Sequence, residues 1–165
     1  NNIGKSFYRI NNYIKNTPLE LSVRLSNKYS CNVFLKREDL QKTRSFKIRG
    51  AHNKMLKNKD SNSIIVCASA GNHAQGVAYS CNLLGLAGKI FCPLTTPPQK
   101  IGRIKIHGGE NIDLKLIDNN FDECLEIAKN YCLENDGLFI HPYDDIDIIE
   151  GQGTVGKEIL NQKKI

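Results

Sequence analysis

Ile64-Ile65-Val66-Cys67-Ala68-Ser69-Ala70-Gly71-Asn72-His73-Ala74-Gln75-Gly76-Val77-Ala78 is the stretch that decides the fold. Residues Ser63 to Ala68 form a short apolar run that reads as a strand buried on both faces. Beyond Ser69-Ala70-Gly71, the residues Ala74, Val77, Ala78, Cys81 and Leu84 recur at helical spacing. The turn therefore joins the carboxyl end of a strand to the N-terminus of a helix, which is where open α/β sheets bind ligands. Unpaired N–H groups of a first helical turn attract a carboxylate or phosphate, and Gly71 lets the backbone approach such a group closely. A plainer use of the same residues remains open, with Ser69 and Asn72 as capping residues and Gly71 as a tight turn.

The pattern continues outward. Lys89 to Leu94 (KIFCPL) and Asn111 to Ile117 (NIDLKLI) read as strands, separated by a helix from Pro98 to His107. A further helix carries Phe121, Cys124, Leu125, Ala128, Tyr131 and Cys132 on one stripe, followed by a strand at Leu138 to His141. Strand alternating with helix predicts an α/β fold, a parallel sheet flanked by helices with right-handed crossovers. Nearer the N-terminus, Asn32 to Lys36 reads as another strand. The chain's 165 residues suffice for one domain that buries about 70 per cent of its unfolded surface.

About twenty residues before the turn lies Ser45-Phe46-Lys47-Ile48-Arg49-Gly50-Ala51. If Ile48, Ala51 and Met55 mark the packed stripe of a helix, Gly50 and Ala51 follow Lys47 at the spacing of helical neighbours, and their small size leaves room for a flat ring. A lysine amine can form a Schiff base with an aldehyde cofactor while the anion turn fixes the carboxylate of an amino acid. Nucleophilic use requires the amine to be shifted to about 7 to 8, roughly 4 kcal/mol from an ordinary lysine. Arg44 and Arg49 are expected to supply part of that shift. Spacing alone equally allows Lys47 to be a solvated helix lysine, like Lys54 or Lys57.

Taken in order, Phe34-Leu35-Lys36-Arg37-Glu38-Asp39-Leu40-Gln41, Arg44 to Ala51, Ala68 to Ala78, Thr95-Thr96-Pro97 with Gln99-Lys100, and Gly151-Gln152-Gly153-Thr154 closely resemble the threonine dehydratases (threonine ammonia-lyases). These are fold-type II pyridoxal-phosphate enzymes, alongside serine racemase and serine dehydratase, and the similarity runs from about Thr17 to the chain end. The resemblance implies pyridoxal 5'-phosphate as cofactor and Lys47 as its Schiff-base lysine. It implies that Phe46 packs near the cofactor ring, that Asn72 hydrogen-bonds the ring's phenolic oxygen, and that Ser69, Ala70, Gly71, Asn72 and His73 hold the substrate carboxylate. The expected reaction takes L-threonine to 2-oxobutanoate and ammonia, and L-serine to pyruvate. Arg44-Ser45-Phe46-Lys47 and Thr95-Thr96-Pro97 look most like the bacterial biosynthetic enzymes that open the isoleucine pathway. Serine racemases carry a serine where Ala70 stands, and its hydroxyl returns a proton to the substrate; Ala70 has none to give.

In the resembled family a small domain is inserted into a larger one. Residues 1–45 are accordingly expected in the large domain, 46–148 in a small α/β domain, and 149–165 in a return to the large domain. Family members continue to a glycine-rich loop for the cofactor phosphate and a polar side chain facing the pyridine nitrogen. This chain is therefore expected to be an N-terminal portion, inactive alone, of an enzyme that is homo-oligomeric when complete. Two alternatives stand beside it, a serine racemase-like enzyme and a non-catalytic remnant that binds a small molecule or a partner.

Composition narrows the field without naming a function. The net charge of +6 comes from scattered lysines with no basic run and no interleaved aromatics, so nucleic acid is not an expected partner. No apolar stretch reaches the length of a membrane span, and Asn1-Asn2-Ile3-Gly4-Lys5 lacks a signal peptide's apolar block, which points to the cytoplasm. Six cysteines without a CxxC pair read as core thiols of a reducing compartment. With His73, His107 and His141 widely separated, no metal site is expected. Gly151-Gln152-Gly153-Thr154-Val155-Gly156 satisfies GxGxxG, but a dinucleotide site would need a strand before it and an acidic residue about twenty positions on. Asp144, Asp145, Asp147 and Glu150 would also repel a pyrophosphate. The resemblance instead implies that these glycines open a helix running toward the cofactor site. There Glu150 replaces a small residue, and a disturbance of local packing is expected.

Overall fold

In the computed structural model, which describes residues 2–61, 63–117 and 120–163, the chain runs through eight α-helices and six strands among the described residues. They are α1 (Asn2–Ile10), β1 (Leu19–Leu21), α2 (Val23–Tyr29), β2 (Phe34–Lys36), α3 (Lys47–Lys57), β3 (Ile65–Ala68) and α4 (Asn72–Leu84). Then follow β4 (Gly88–Pro93), α5 (Pro98–Gly108), β5 (Ile112–Ile117), α6 (Phe121–Glu134), β6 (Leu138–Phe139), α7 (Ile146–Gln152) and α8 (Thr154–Gln162). No helix among the described residues is long and apolar enough to cross a membrane.

The run at 64–68 behaves as its composition dictates. Every residue of β3 is buried, with Ile65 and Cys67 facing one hydrophobic cluster and Val66 and Ala68 facing another. The two clusters are the two sides of one parallel sheet of order β5-β4-β3-β6. On the first side Ala51, Met55, Ala74, Val77, Ile104 and Ile148 bring in α3, α4, α5 and α7; on the second, Cys124, Ala128 and Cys132 bring in α6. The sheet grows from β3 to β4 and β5 in one direction and adds β6 on the other flank, so the order reverses beside β3. Crevices at such reversals, at the carboxyl ends of the strands, are where ligands of this fold class sit. The last strand is shorter than its sequence predicts. Regular pairing ends at Phe139, although Ile140 N–H still reaches Val66 O, because the backbone then turns at His141 and Pro142, and proline has no N–H to donate.

The Gly151–Gly156 segment departs from the dinucleotide reading of its motif, while Gly153 does open a helix, α8, as the resemblance implies. No strand precedes it: Gly151 lies inside α7, and Gly153 marks the junction of α7 with α8. Its glycines serve a helix crossing, since a Cβ at Gly151 would lie 2.6 Å from Gly50 Cα and 2.7 Å from Arg49 O. Glu150 disturbs nothing, because Asn2 Nδ2 donates to its Oε1 at 2.8 Å and Lys57 approaches its other oxygen at 3.8 Å.

Next to that crossing, Arg49 is 1% exposed and fully engaged. Nε and Nη2 donate to the two oxygens of Glu38 at 2.8 and 2.7 Å, and Nη1 and Nη2 to those of Glu158 at 2.7 and 2.9 Å. Nη1 also reaches Thr154 Oγ1 at 3.1 Å, and Lys36 Nζ donates to Glu158 Oε2 at 2.5 Å and to Thr17 O at 2.6 Å. Two cations thus balance two carboxylates in the interior. The cluster ties the N-terminal segment, α3 and α8 together.

Removing its central cation gives a test. Arg49→Met should cost about 3–5 kcal/mol in urea unfolding, because Glu38 loses its counter-charge and Glu158 is left with Lys36 alone. Burial alone would push the Glu38 carboxyl up, but hydrogen bonds from Arg49 and Thr17 and the Arg49 charge hold it below its usual value. A carboxylate lowered on folding stabilises the native state above its unfolded value and loses that contribution as pH falls through the folded value. In Arg49→Met the acid-side trend should reverse, with acidification relieving buried charge.

Candidate active site

Lys47 is the first residue of α3, and the hydroxyl of Ser45 accepts its backbone N–H at 3.3 Å. Its Nζ donates to Pro142 O at 2.7 Å and stands 5.5 Å from the centroid of the Phe46 ring. Burial lowers the amine below an ordinary lysine's value. The positive end of the α3 dipole acts in the same direction. The arginines expected to help do not: Arg49 is neutralised between Glu38 and Glu158, and the shift has burial as its cause.

Gly50 and Ala51 do not make room for a ring either. A Cβ at Gly50 would meet Ile148 O at 2.8 Å and Gln152 Nε2 at 2.6 Å, and Ala51 is part of the sheet core. Both residues are small because α3 is pressed between α7 and the sheet.

The turn after β3 is built rigidly. Ser69 N–H donates to Phe91 O at 3.0 Å, the Cys92 thiol donates to Ser69 O at 3.0 Å, and Gly71 N–H donates to Ser69 Oγ at 3.1 Å. Helix α4 then begins at Asn72 with no side chain capping it, which leaves the N–H groups of its first turn available to an anion. A Cβ at Gly71 would meet nothing within 4 Å, so the turn faces open space. Ala70 is half-buried and Asn72 exposed, and the Asn72 amide has no hydrogen-bond partner among the described residues.

His73 divides its roles. Its ring is 3% exposed and Nε2–H donates to Ile140 O at 2.8 Å, tying the turn to the end of β6. Burial pushes the imidazole down to about 4, so it is neutral at physiological pH. Its side chain braces the turn, which leaves only its backbone N–H for an anion.

Three residues that carry no role in the sequence reading bring the lysine and the turn together. Gly76 stood inside the quoted motif without a function. A Cβ there would lie 3.1 Å from both Cα and N of Ile48 and 3.3 Å from the Lys47 carbonyl carbon, so α4 packs directly on the backbone that carries the amine. Pro142 supplies the carbonyl that receives Nζ, two residues after the carbonyl that receives His73. His141 between them accepts backbone N–H groups of the following turn. A Gly at i+4 from an anion turn is the one signal that could have suggested close helix contact.

A family model described as pyridoxal-phosphate dependent enzyme matches residues 10–164. The chain is 51% identical over 162 residues to the biosynthetic L-threonine dehydratase IlvA of Staphylococcus epidermidis, covering 97% of this chain and 38% of the relative. It is 48% identical over 159 residues to the protein of the same name from Bacillus subtilis, covering 95% and 38%. Among solved structures it resembles the processed form of threonine deaminase isoform 2 from Solanum lycopersicum, with a TM-score of 0.87, 38% identity, and coverage of 98% of this chain and 48% of that one. Maize serine racemase superposes with a TM-score of 0.88 at 31% identity, covering 98% and 49%. The chain thus spans about two fifths of the length of the curated relatives it matches.

Two helical glycines, Gly76 at the α3–α4 contact and Gly156 in open space on α8, carry opposite expectations. Gly76→Val should destabilise by about 1–3 kcal/mol through overpacking against backbone. Gly156→Ala in α8, where a Cβ meets nothing within 4 Å, should stabilise by up to about 1 kcal/mol through helix propensity. Thermal unfolding of both variants checks the signs; a neutral Gly76→Val would mean the helices are not in that contact.

Proposed function

Because the chain belongs to the pyridoxal-phosphate dependent enzymes, we propose that it carries the lysine and anion turn of a threonine ammonia-lyase. That enzyme would convert L-threonine to 2-oxobutanoate and ammonia, with L-serine giving pyruvate, as the first step of isoleucine biosynthesis. One observation carries the proposal. A partly buried lysine amine, lowered by its surroundings, stands on the same rim as an uncapped helix N-terminus, joined to it by the Gly76 contact and by the adjacent carbonyls of Ile140 and Pro142. The names of the bacterial relatives support the substrate.

The residues present fit pyridoxal 5'-phosphate. Lys47 offers an amine, Phe46 an exposed ring beside it, Asn72 an unpartnered amide for the phenolic oxygen, and Gly71 open space. Once bound, the cofactor would supply an electron sink for the amino acid's α-carbon. Lys47 Nζ would hold the cofactor's aldehyde carbon between turnovers, and as a neutral amine it would accept the substrate's α-proton. In the Ser69 to His73 loop, where the Ser69 and Gly71 N–H groups are spent on Phe91 O and Ser69 Oγ, the backbone N–H groups of Ala70, Asn72 and His73 would grip the substrate carboxylate and fix which bond faces Lys47. Ala70 presents a methyl group with no exchangeable proton to the opposite side, which favours elimination of the β-hydroxyl over racemisation.

Residues 1–45 and 149–165 are assigned to one lobe and 46–148 to the other, with residues 1, 62, 118, 119, 164 and 165 outside the described ones. The Arg49 cluster supports this, since it joins both outer segments at the first turns of α3. Family resemblance also supports a cytoplasmic, homo-oligomeric whole protein acting on an amino acid.

In the whole protein, Lys47→Ala should abolish 2-oxobutanoate formation from L-threonine, and Lys47→Arg should not restore it, because a guanidinium stays protonated. Ala70→Ser should retain dehydration and add slow racemisation of serine, read by chiral analysis of recovered substrate. Near-normal turnover by Lys47→Ala, or strong serine racemisation before mutation, would overturn the assignment.

A further inference from the structure

We infer that His141 is a positioning residue for Lys47, its Nδ1 pinning the turn whose Pro142 carbonyl holds the lysine amine. The inference rests on the role proposed for Lys47. After β6 the chain folds back over His141-Pro142-Tyr143-Asp144, and His141 Nδ1 accepts Asp144 N–H at 2.7 Å and Tyr143 N–H at 3.3 Å. Two donors on Nδ1 put its lone pair there and the ring proton on Nε2. Tyr143 meets the ring edge-on at 4.8 Å between centroids, and Phe139 lies at 6.3 Å on the strand side.

The two ends of this segment are secured by other means. Upstream, Ile140 N–H donates to Val66 O and Ile140 O receives His73. Downstream, the Asp145 carboxylate caps α7 through the N–H groups of Asp147 and Ile148 and pairs with Lys54. Between those anchors, Pro142 has no N–H with which to hold itself. The imidazole of His141 restrains the middle, and the middle is where Lys47 Nζ is bound.

The imidazole can serve only while Nδ1 is unprotonated. Four charged groups face it: Asp144 and Asp145 on the turn, Lys129 from α6 and Lys54 from α3. Burial, with help from the two lysines, outweighs the two carboxylates and keeps the ring below an ordinary imidazole's value. At neutral pH the turn is locked. Acid places a proton where two N–H groups already point, and the lock fails.

An asparagine at 141 separates this role from general packing, because its side-chain oxygen reaches backbone N–H groups two and three residues on. Competitive trace labelling with acetic anhydride across pH, mapped at Lys47 by mass spectrometry against an added unperturbed lysine peptide, reads the amine without any cofactor. The native chain should show Lys47 titrating below the standard, with a second break on the acid side. His141→Ala, confirmed folded by circular dichroism, should lose the low titration and follow the standard. His141→Asn should keep the low titration and lose the acid break. Should His141→Ala fail to fold, the acid break of the native chain and its loss in His141→Asn still decide the matter. Unchanged Lys47 titration in folded His141→Ala, or an acid break that persists in His141→Asn, would overturn the inference. Native Lys47 titrating with the standard would instead overturn the role proposed for Lys47 itself.

Discussion

The guanidinium of Arg49, sealed between Glu38 and Glu158, is the constraint on which the rest depends. Buried ion pairs of this kind add little stability over an apolar core of equal volume, since desolvation consumes most of the attraction. Their value lies in geometry. Five donors in a fixed plane accept one arrangement of two carboxylates, and here those carboxylates come from segments about 120 residues apart in sequence. Helix α3 is thereby fixed in rotation as well as position, and its first residue is Lys47. A greasy contact in the same place would let the helix turn about its axis and carry the amine off the rim of the sheet.

Two neighbouring lysine and arginine residues of one helix thus have opposite electrostatic fates. Arg49 remains charged because its counter-ions are supplied in full. Lys47 is partly buried with a carbonyl for company and no paired carboxylate among the described residues, so its ammonium form is disfavoured. The same division recurs in the turn across the crevice, where the His73 ring is consumed in bracing and the backbone N–H groups are left for the ligand. Rigidity is bought from side chains, and reactivity is left to one amine and a helix end.

Local pattern was enough to read much of this. The all-buried run at 65–68, the helical stripe beginning at Ala74 and the alternation beyond it specify a parallel sheet, and every strand expected in it is present. Local order also placed Lys47 at a helix and Gly71 before one. What could not be read was which distant atoms meet. Gly50 looks like a space for a ring until α7 is seen lying across it, and Arg49 looks like a cation beside Lys47 until its two carboxylates are located. Glycines 151 and 153 satisfy a nucleotide motif in one dimension and a helix crossing in three. Gly76, His141 and Pro142 act through contacts spanning 28 to 95 residues or through a turn with no periodic signature. Nothing in their own neighbourhood announces them.

Selective reactivity of Lys47 toward the cofactor's aldehyde is the point where fold and function meet. Incubating the chain with pyridoxal phosphate, reducing with borohydride and mapping the pyridoxyl mass by peptide sequencing reads it out at each lysine. Modification should appear at Lys47 ahead of the exposed lysines of the surface. Label spread over those surface lysines, with Lys47 unmodified, would contradict the placement of the active amine.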